Sequence, residues 1–583
     1  METSETSAAW FEDFWGHWSR RDFLRRMGGA SALSLFLAGG GALLESCGAG
    51  APAASAPAGV KKGGHVVEAG LSDPSTFNTI FSHDTASSTQ IGMMFAGLLD
   101  SRADGSLIPS IAKSVPKVDS DQVTYRFDLR TDVTWSDGRP LTADDVLFTY
   151  ALMAGSTYDY RTINSRYWPD LELYLQSVTA PDPHTVIMKT KGPYAPFLTG
   201  YVFAPLPKHV LEPIVRQSPA DFQKAAFNLA PTVTSGAFLF DHWDKSQQVV
   251  LKANPRYFRG RPRLDSYVTK TVPDAVQVTN LLKTGEADVG GIEPSLWDDM
   301  ATATNVKRIR FPSAGYEYFG YNMDPTNPKR PVSGRIFGDP ATGRMVRQAL
   351  YLAVDRKQLA QRVYFNEADV AYTVEPNTSW AATANVPKYA HDPKKAGDLL
   401  DQAGWKMGPG GVRTKDGVRL SFEIITNVGN KTRESAIQVL AEAWRQIGVQ
   451  AVPRLIQFPQ YVDTASTRDF DMVMGGIAAG VDPDLSQIYA SRAVGKALNR
   501  MGYRNQDLDH LLDQAVQTLD QSKRKQIYAR VQQTLMRDLP TGMLVWPRSH
   551  WGVSKRVNGF AVGAFNQYGA RPWLKDVWVS DGR

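Results

Sequence analysis

The 583-residue chain contains one cysteine, Cys47. No intrachain disulfide can form, so stability must come from the core alone. Lys and Arg number 65 against 59 Asp and Glu, a net charge of +6, and this mild excess is spread along the chain without a basic run. Solvated surface accounts for it, and nucleic-acid binding is not expected. Beyond residue 44 no apolar stretch approaches the ~20 residues of a membrane-spanning helix, so the body is expected to be soluble. Catalytic signatures are missing too: there is no Gly-x-Ser-x-Gly elbow, no phosphate-binding glycine loop and no cysteine available in a core. The nine histidines, at positions 17, 65, 83, 184, 209, 242, 391, 510 and 550, include no pair at helical metal-ligand spacing. His83-Asp84 and His242-Trp243-Asp244 stand alone and read as structural histidines. No cofactor, metal or reaction is therefore expected. No fixed-period repeat is visible, which argues against solenoids and propellers.

What is present starts at the N-terminus. Ser19-Arg20-Arg21-Asp22-Phe23-Leu24-Arg25 has the pattern of a twin-arginine export motif. The uncharged run 27–44 that follows carries five glycines, which suits a cleavable export segment better than a hydrophobic anchor. Leu44-Glu45-Ser46-Cys47 resembles the lipobox of bacterial lipoproteins, with Glu45 standing where a small or apolar residue is usual. Residues 1–46 thus read as a twin-arginine signal peptide and Cys47 as a lipid attachment point, the alternative being an incidental cysteine in a plain export product. Residues 47–62, rich in Ala, Pro and Gly, read as the lipidated cysteine and a flexible linker. The rest is expected outside the cytoplasm, in the periplasm or on the outer face of the cell membrane.

The body alternates strand and helix signals, as an α/β protein should. His65-Val66-Val67-Glu68-Ala69-Gly70 reads as a β-branched strand and 123–129 as a strand of period two. Thr142 with Asp145 three residues on marks a helix start. Asp392-Pro393 opens another helix, which Gly404 can close in the left-handed conformation. The span 432–447 carries Ala436, Val439, Leu440, Ala443, Trp444 and Ile447 on one face; Gly448 ends it and a strand returns at Val449. Residues 506–519 and 522–535 read as two more amphipathic helices.

Several segments then carry a resemblance. Gly63-Gly64-His65-Val66-Val67, Gly97-Leu98-Leu99-Asp100, and Tyr125-Arg126-Phe127-Asp128-Leu129-Arg130 leading to Trp135-Ser136-Asp137-Gly138 are followed by Leu141-Thr142-Ala143-Asp144-Asp145-Val146. Ala253-Asn254-Pro255-Arg256-Tyr257-Phe258, Val346-Arg347-Gln348-Ala349-Leu350 through Ala353-Val354-Asp355-Arg356, and Leu399-Leu400-Asp401-Gln402-Ala403-Gly404-Trp405 continue the series. In this order, over nearly all of the chain after the linker, they resemble the family 5 extracellular solute-binding proteins of ABC transporters, which include oligopeptide-, dipeptide- and nickel-binding proteins. The resemblance implies an α/β, three-lobed periplasmic-binding-protein-like clamshell of type II, of the large cluster with an extra lobe. Lobe I would comprise 63–108, 230–310 and 538–583, lobe II 109–229, and lobe III 311–537. Hinge crossings are expected near 236–238, 311–316 and 536–544, where Ser235-Gly236 and Thr541-Gly542 put small residues.

The resemblance also implies a role. The chain would capture an oligopeptide or other polar solute between two jaws and deliver it, as a monomer held to the membrane by its lipid, to an ABC permease with a cytoplasmic ATPase. Alternatives are a binding protein for an oligosaccharide or metal chelate, a sensory receptor subunit, or an extracytoplasmic hydrolase. Peptide-binding relatives use a Trp and an Asp shortly before an Asp-Pro step, the Asp pairing with the peptide's α-amino group. Here the segment is Gly475-Gly476-Ile477-Ala478-Ala479-Gly480-Val481-Asp482-Pro483-Asp484, and both anchors are replaced by small residues. Gly476, Ala478 and Gly480 would leave room and expose backbone for a bulkier ligand. Asp482 or Asp484 would take the ammonium, or else serve as turn and cap residues beside the proline. Phe238 and Trp380 are candidates to stack on a ligand, or are plain core. Asn427 and Arg433 lie at the start of a long helix, where Arg433 would meet an anionic group or sit as a solvated helix turn.

Overall fold

The computed structural model describes residues 62–82, 84–154, 168–218, 221–495, 498–565 and 571–582. Arg20, Arg21, Cys47 and His83 lie outside them, as do the expected signal and the linker up to residue 61. Among the described residues, twelve strands join in one sheet: β1 (His65–Gly70), β2 (Phe238–Asp244), β3 (Gln248–Ala253), β4 (Ser266–Thr271), β5 (Val289–Gly291), β6 (Val306–Pro312), β7 (Tyr316–Tyr321), β8 (Ala368–Val370), β9 (Ser421–Asn427), β10 (Gln450–Ile456), β11 (Met472–Ile477) and β12 (Thr541–Ser554). The order is β10-β9-β11-β7-β12-β5-β1-β4-β3-β2, with β6 and β8 also paired to β12. Pairs β1–β4, β1–β5, β9–β10 and β9–β11 are parallel, with the helix Lys431–Arg445 crossing from β9 to β10, and the remaining pairs are antiparallel.

β12 belongs to both halves of the sheet. Residues 541–547 pair with β7 and β8, and residues 548–554 pair with β6 and β5. β6 runs into β7 through Ser313-Ala314-Gly315 beside the same point, where Ser313 N–H donates to Pro547 O at 3.1 Å. Two adjacent chain passages therefore connect the halves. Each half has its own hydrophobic cluster. The first runs from Val66 to Val289 and takes in Trp551 to Val579; the second runs from Tyr316 to Trp546. Met543–Trp546 pack in the second cluster, so the chain's return to the first half falls at 547–548, later than the expected 538.

A separate three-stranded sheet of Thr124–Asp128, Thr185–Thr190 and Leu175–Asp182 packs in the first cluster with the helix Ala143–Ala154. The expected helix start is visible there, as Asp145 Oδ2 accepts from Thr142 N–H at 3.0 Å and from Trp135 Nε1 at 3.2 Å. The other expected helices occur as Pro393–Gln402, Lys431–Arg445, Gln506–Gln517 and Gln521–Asp538. Asp392 caps the first by accepting from Lys395 N–H at 2.8 Å, and Gly404 ends it at φ +87°. Asn430 caps the second, which buries Ala436, Ile437, Leu440 and Trp444 and stops at Gly448 with φ +82°. That helix presents its N-terminal turn to the first half of the molecule.

Candidate functional site: the cleft between the halves

A cavity of about 370 Å³ lies between the two halves. From the first half it is lined by residues of β1 and β5, by Gln90 on the helix Thr85–Met94, and by Arg571; from the second half by Glu317, Tyr364, Glu367 and the 427–433 turn; β12 contributes His550 and Trp551. The volume is within the ~300–1,000 Å³ of small-molecule pockets.

Contacts close the cleft on two sides. At one edge Thr432 Oγ1 donates to Glu293 Oε1 at 3.3 Å, Lys431 Nζ lies 3.4 Å from Asp274 Oδ2, and Ala275 N–H meets Gly429 O at 3.3 Å. Elsewhere the small three-stranded lobe touches the second half: Tyr174 OH donates to Asp513 Oδ1 at 2.6 Å, and Ala195 N–H to Val516 O at 2.7 Å. These bonds join residues far apart in sequence and are broken if the halves swing apart.

Charge within the cavity is largely compensated. Arg433 forks onto Glu317 with two bonds of 2.8 Å and reaches Asn427 Oδ1 at 3.0 Å. Burial disfavours the Arg433 cation, but the facing Glu317 carboxylate outweighs it and raises the guanidinium pKa. Arg571 holds Glu68 at 2.6 and 3.2 Å, and Tyr267 OH donates to the same carboxylate at 2.6 Å. Glu367 accepts from Arg310 at 2.8 Å and bonds His550 Nε2 at 3.0 Å; burial holds the imidazole below its usual pKa, with Glu367 opposing. Glu293 differs. It is 5% exposed, and burial, partly offset by the Thr432 hydroxyl, pushes its carboxyl up to about 7.

The structure distributes the residues expected from sequence as follows. Asn427 and Arg433 line the cavity together, with Arg433 neither free for an anion nor solvated. Gly476 sits opposite Glu317 in the β7–β11 register, and a Cβ placed on it would strike the Arg433 guanidinium and come within 2.6 Å of Glu317 Oε1. The glycine thus leaves space for the ion pair. Ala478 and Gly480 are exposed beyond the end of β11 and do not line this cavity. Asp482 is committed to Arg524 in a bidentate pair of 2.9 and 2.8 Å, and the same guanidinium lies 5.2 Å from the Trp380 ring centroid. Trp380 packs edge-on to Tyr528 at 5.9 Å, so these residues form a cluster apart from the cavity. Asp484 accepts from Ser486 N–H at 2.9 Å, a turn bond. Phe238 takes the core alternative: it is wholly buried, edge-to-face with Tyr267 at 6.0 Å, because the first residue of β2 points into the first core. Glu293, Gln90, Tyr364 and Glu317 were not singled out from sequence. Glu293 follows an apolar strand and precedes Pro294, which reads as ordinary turn chemistry.

Comparison with known proteins agrees with this architecture. The family model for bacterial extracellular solute-binding proteins, family 5, matches residues 106–498. The oligopeptide-binding protein AppA of Bacillus subtilis is 29% identical over 515 residues, covering 86% of this chain and 89% of AppA. Its structure in complex with a nonapeptide superposes with a TM-score of 0.81 at 28% identity, covering 89% of this chain and 99% of that one. NikZ of Campylobacter jejuni, solved with Ni(L-His), gives 0.76 at 26% identity, covering 88% and 99%. With the family model spanning more than half of its length and both halves closing on one cleft, the chain belongs to the bacterial extracellular solute-binding proteins of family 5.

Proposed function

We propose that the protein is the solute receptor of an ABC importer, taking an oligopeptide or other polar solute into the cleft between β1/β5 and the 427–433 turn and delivering it to a membrane permease driven by a cytoplasmic ATPase. The observation that carries this reading is the cavity itself, enclosed by two halves that are connected at 312–316 and 547–548 and bonded across the cleft edge. Such a construction lets ligand select the closed state, with hinge rotation absorbed at a few residues. The lobes are taken as 63–108 with 230–310 and the last part of the chain, 109–229, and a third lobe from 311 onward. The twin-arginine pattern and Cys47 support export and a lipid anchor on the outer membrane face, and the receptor acts as a monomer without a reaction of its own.

A peptide ligand is favoured by the relative AppA, whose name and nonapeptide complex concern peptides. The cavity volume fits a short peptide or a solute of similar size. A metal chelate is the second reading, supported by the NikZ complex with Ni(L-His). Thermal-shift measurements with peptides of graded length, Ni-histidine and oligosaccharides decide among them. A ligand at a hundred times its Kd adds about 2.7 kcal/mol to the folded state, so the binding class raises the melting temperature and the others leave it unchanged. A protein stabilised by none of them is not a receptor for these solutes.

A further inference from the structure

We infer that Glu293 receives a cationic nitrogen of the ligand, so that the cleft selects solutes carrying an ammonium group. The inference rests on the solute-binding reading of the cleft and names the group recognised there.

Four acids line the cavity. Glu68 is held by Arg571, Glu317 by Arg433, and Glu367 by Arg310 and His550. Glu293 alone has no cationic partner within salt-bridge distance among the described residues. Its carboxylate accepts one long hydrogen bond, from Thr432 at 3.3 Å, and its backbone N–H is used by Thr279 Oγ1 at 2.9 Å. The charged groups facing it are Asp274 at the start of the helix Ala275–Thr284, and Lys431 and Glu434 on the helix Lys431–Arg445. Lys431 is shared between Asp274 at 3.4 Å and Glu434 at 3.1 Å. Two acids and one cation thus surround a third acid, and the balance is negative. A buried carboxylate in that setting is neutralised by a proton or by a cation from outside.

One further acceptor of the cavity points the same way. Gln90, 2% exposed, gives its Nε2 to Thr269 Oγ1 at 3.0 Å and leaves Oε1 without a partner. The Tyr364 hydroxyl, also buried and lining the cavity, has no partner and can either donate to a ligand or accept from it. The three arginines of the lining, Arg433, Arg571 and Arg548, are each bound to a carboxylate. The Glu293 carboxylate and the Gln90 oxygen both call for a donor, and at Glu293 a positively charged one, which an ammonium group supplies. Sequence reasoning found the expected ammonium anchor missing from the 475–484 loop; the structure offers a carboxylate on the opposite half.

The test is calorimetric titration of the purified full chain at about pH 8, where a free Glu is ionised, with short peptides bearing free amino termini, each matched to its N-acetylated counterpart. The expected result is binding of free-amine peptides with at least tenfold loss on acetylation, and a loss of the same size when Glu293→Gln is titrated with the free-amine peptide. The acetylation comparison uses wild-type protein and so does not depend on the variant folding. Equal affinity for acetylated and free peptides overturns the inference and leaves the solute-binding reading standing. A free-amine preference that survives in a folded Glu293→Gln variant removes Glu293 from the role. Absence of binding by any peptide, chelate or sugar overturns the solute-binding reading and the inference with it.

Discussion

Replacing Glu317 by Gln keeps the shape of the cleft and removes the negative half of its buried ion pair. The Arg433 side chain is 16% exposed and that of Glu317 13%, with both guanidinium bonds at 2.8 Å and one further bond to Asn427. At an effective dielectric of about 20 a pair of unit charges ~4 Å apart is worth ~4 kcal/mol. Breaking a buried pair typically costs ~3–5 kcal/mol, because the remaining charge is stranded. The residual exposure lets water reach the freed guanidinium, so the loss expected for Glu317→Gln is about 2–3 kcal/mol. Urea denaturation followed by tryptophan fluorescence measures it, since Trp444 is fully buried in the same half and its indole N–H donates to Leu350 O at 2.9 Å. In the double variant Glu317→Gln/Arg433→Met no charge is stranded, and at least half of the loss should return. A single-variant loss below ~0.5 kcal/mol, the level of a surface pair, refutes the assignment of this pair to a sequestered cleft, as does a double variant whose loss equals the sum of the singles.

Further outcomes follow from the same structure. Burial pushes both Glu293 and Glu375 up to about 7 from 4.5, so the native state holds protons that the unfolded chain gives up. Stability of the unliganded protein therefore falls as pH rises from about 4.5 to 7, by at most ~3 kcal/mol for each group, and urea midpoints across that range should flatten when both are changed to Gln. Asp482→Asn strands Arg524, whose side chain is 6% exposed, and should cost ~3–5 kcal/mol while leaving ligand affinity within threefold; an affinity loss without a stability loss would return Asp482 to the binding site. Gly429→Ala forces a side chain at φ +91° against the Pro273 carbonyl on the opposite half. The local conformational cost is ~1–2 kcal/mol, and the closed state should suffer more, giving weaker ligand binding and a larger radius of gyration at saturating ligand in X-ray scattering.

The helices were legible because their ends are written locally. Asp392-Pro393 with Gly404, and Asn430 with Gly448, each combine a side-chain cap with a glycine at positive φ, and the apolar spacing between them fixes the buried face. The cleft was not legible because its pairs are distant in sequence: Glu317 with Arg433, Glu68 with Arg571, Glu293 with Thr432. No local pattern says which acid a given arginine will meet. Asn427, Arg433 and Phe238 were candidates by position in the family resemblance alone; the first two line the cavity and Phe238 lies in the core, since an aromatic at the start of a strand has the same sequence signature facing a ligand or a core. The return to the first half at 547–548 was hidden because β12 is one continuous strand, and a change of pairing partner needs no turn residue to mark it.

The central claim is that the cleft holds one solute molecule per chain. Native mass spectrometry of the gently purified protein, before and after addition of a defined mixture of short peptides, tests it directly. The account predicts a one-to-one non-covalent complex, either carried through purification or formed with peptides from the mixture, and its loss in the Gly429→Ala variant. A bare chain under every condition, with the wild-type protein folded, contradicts it.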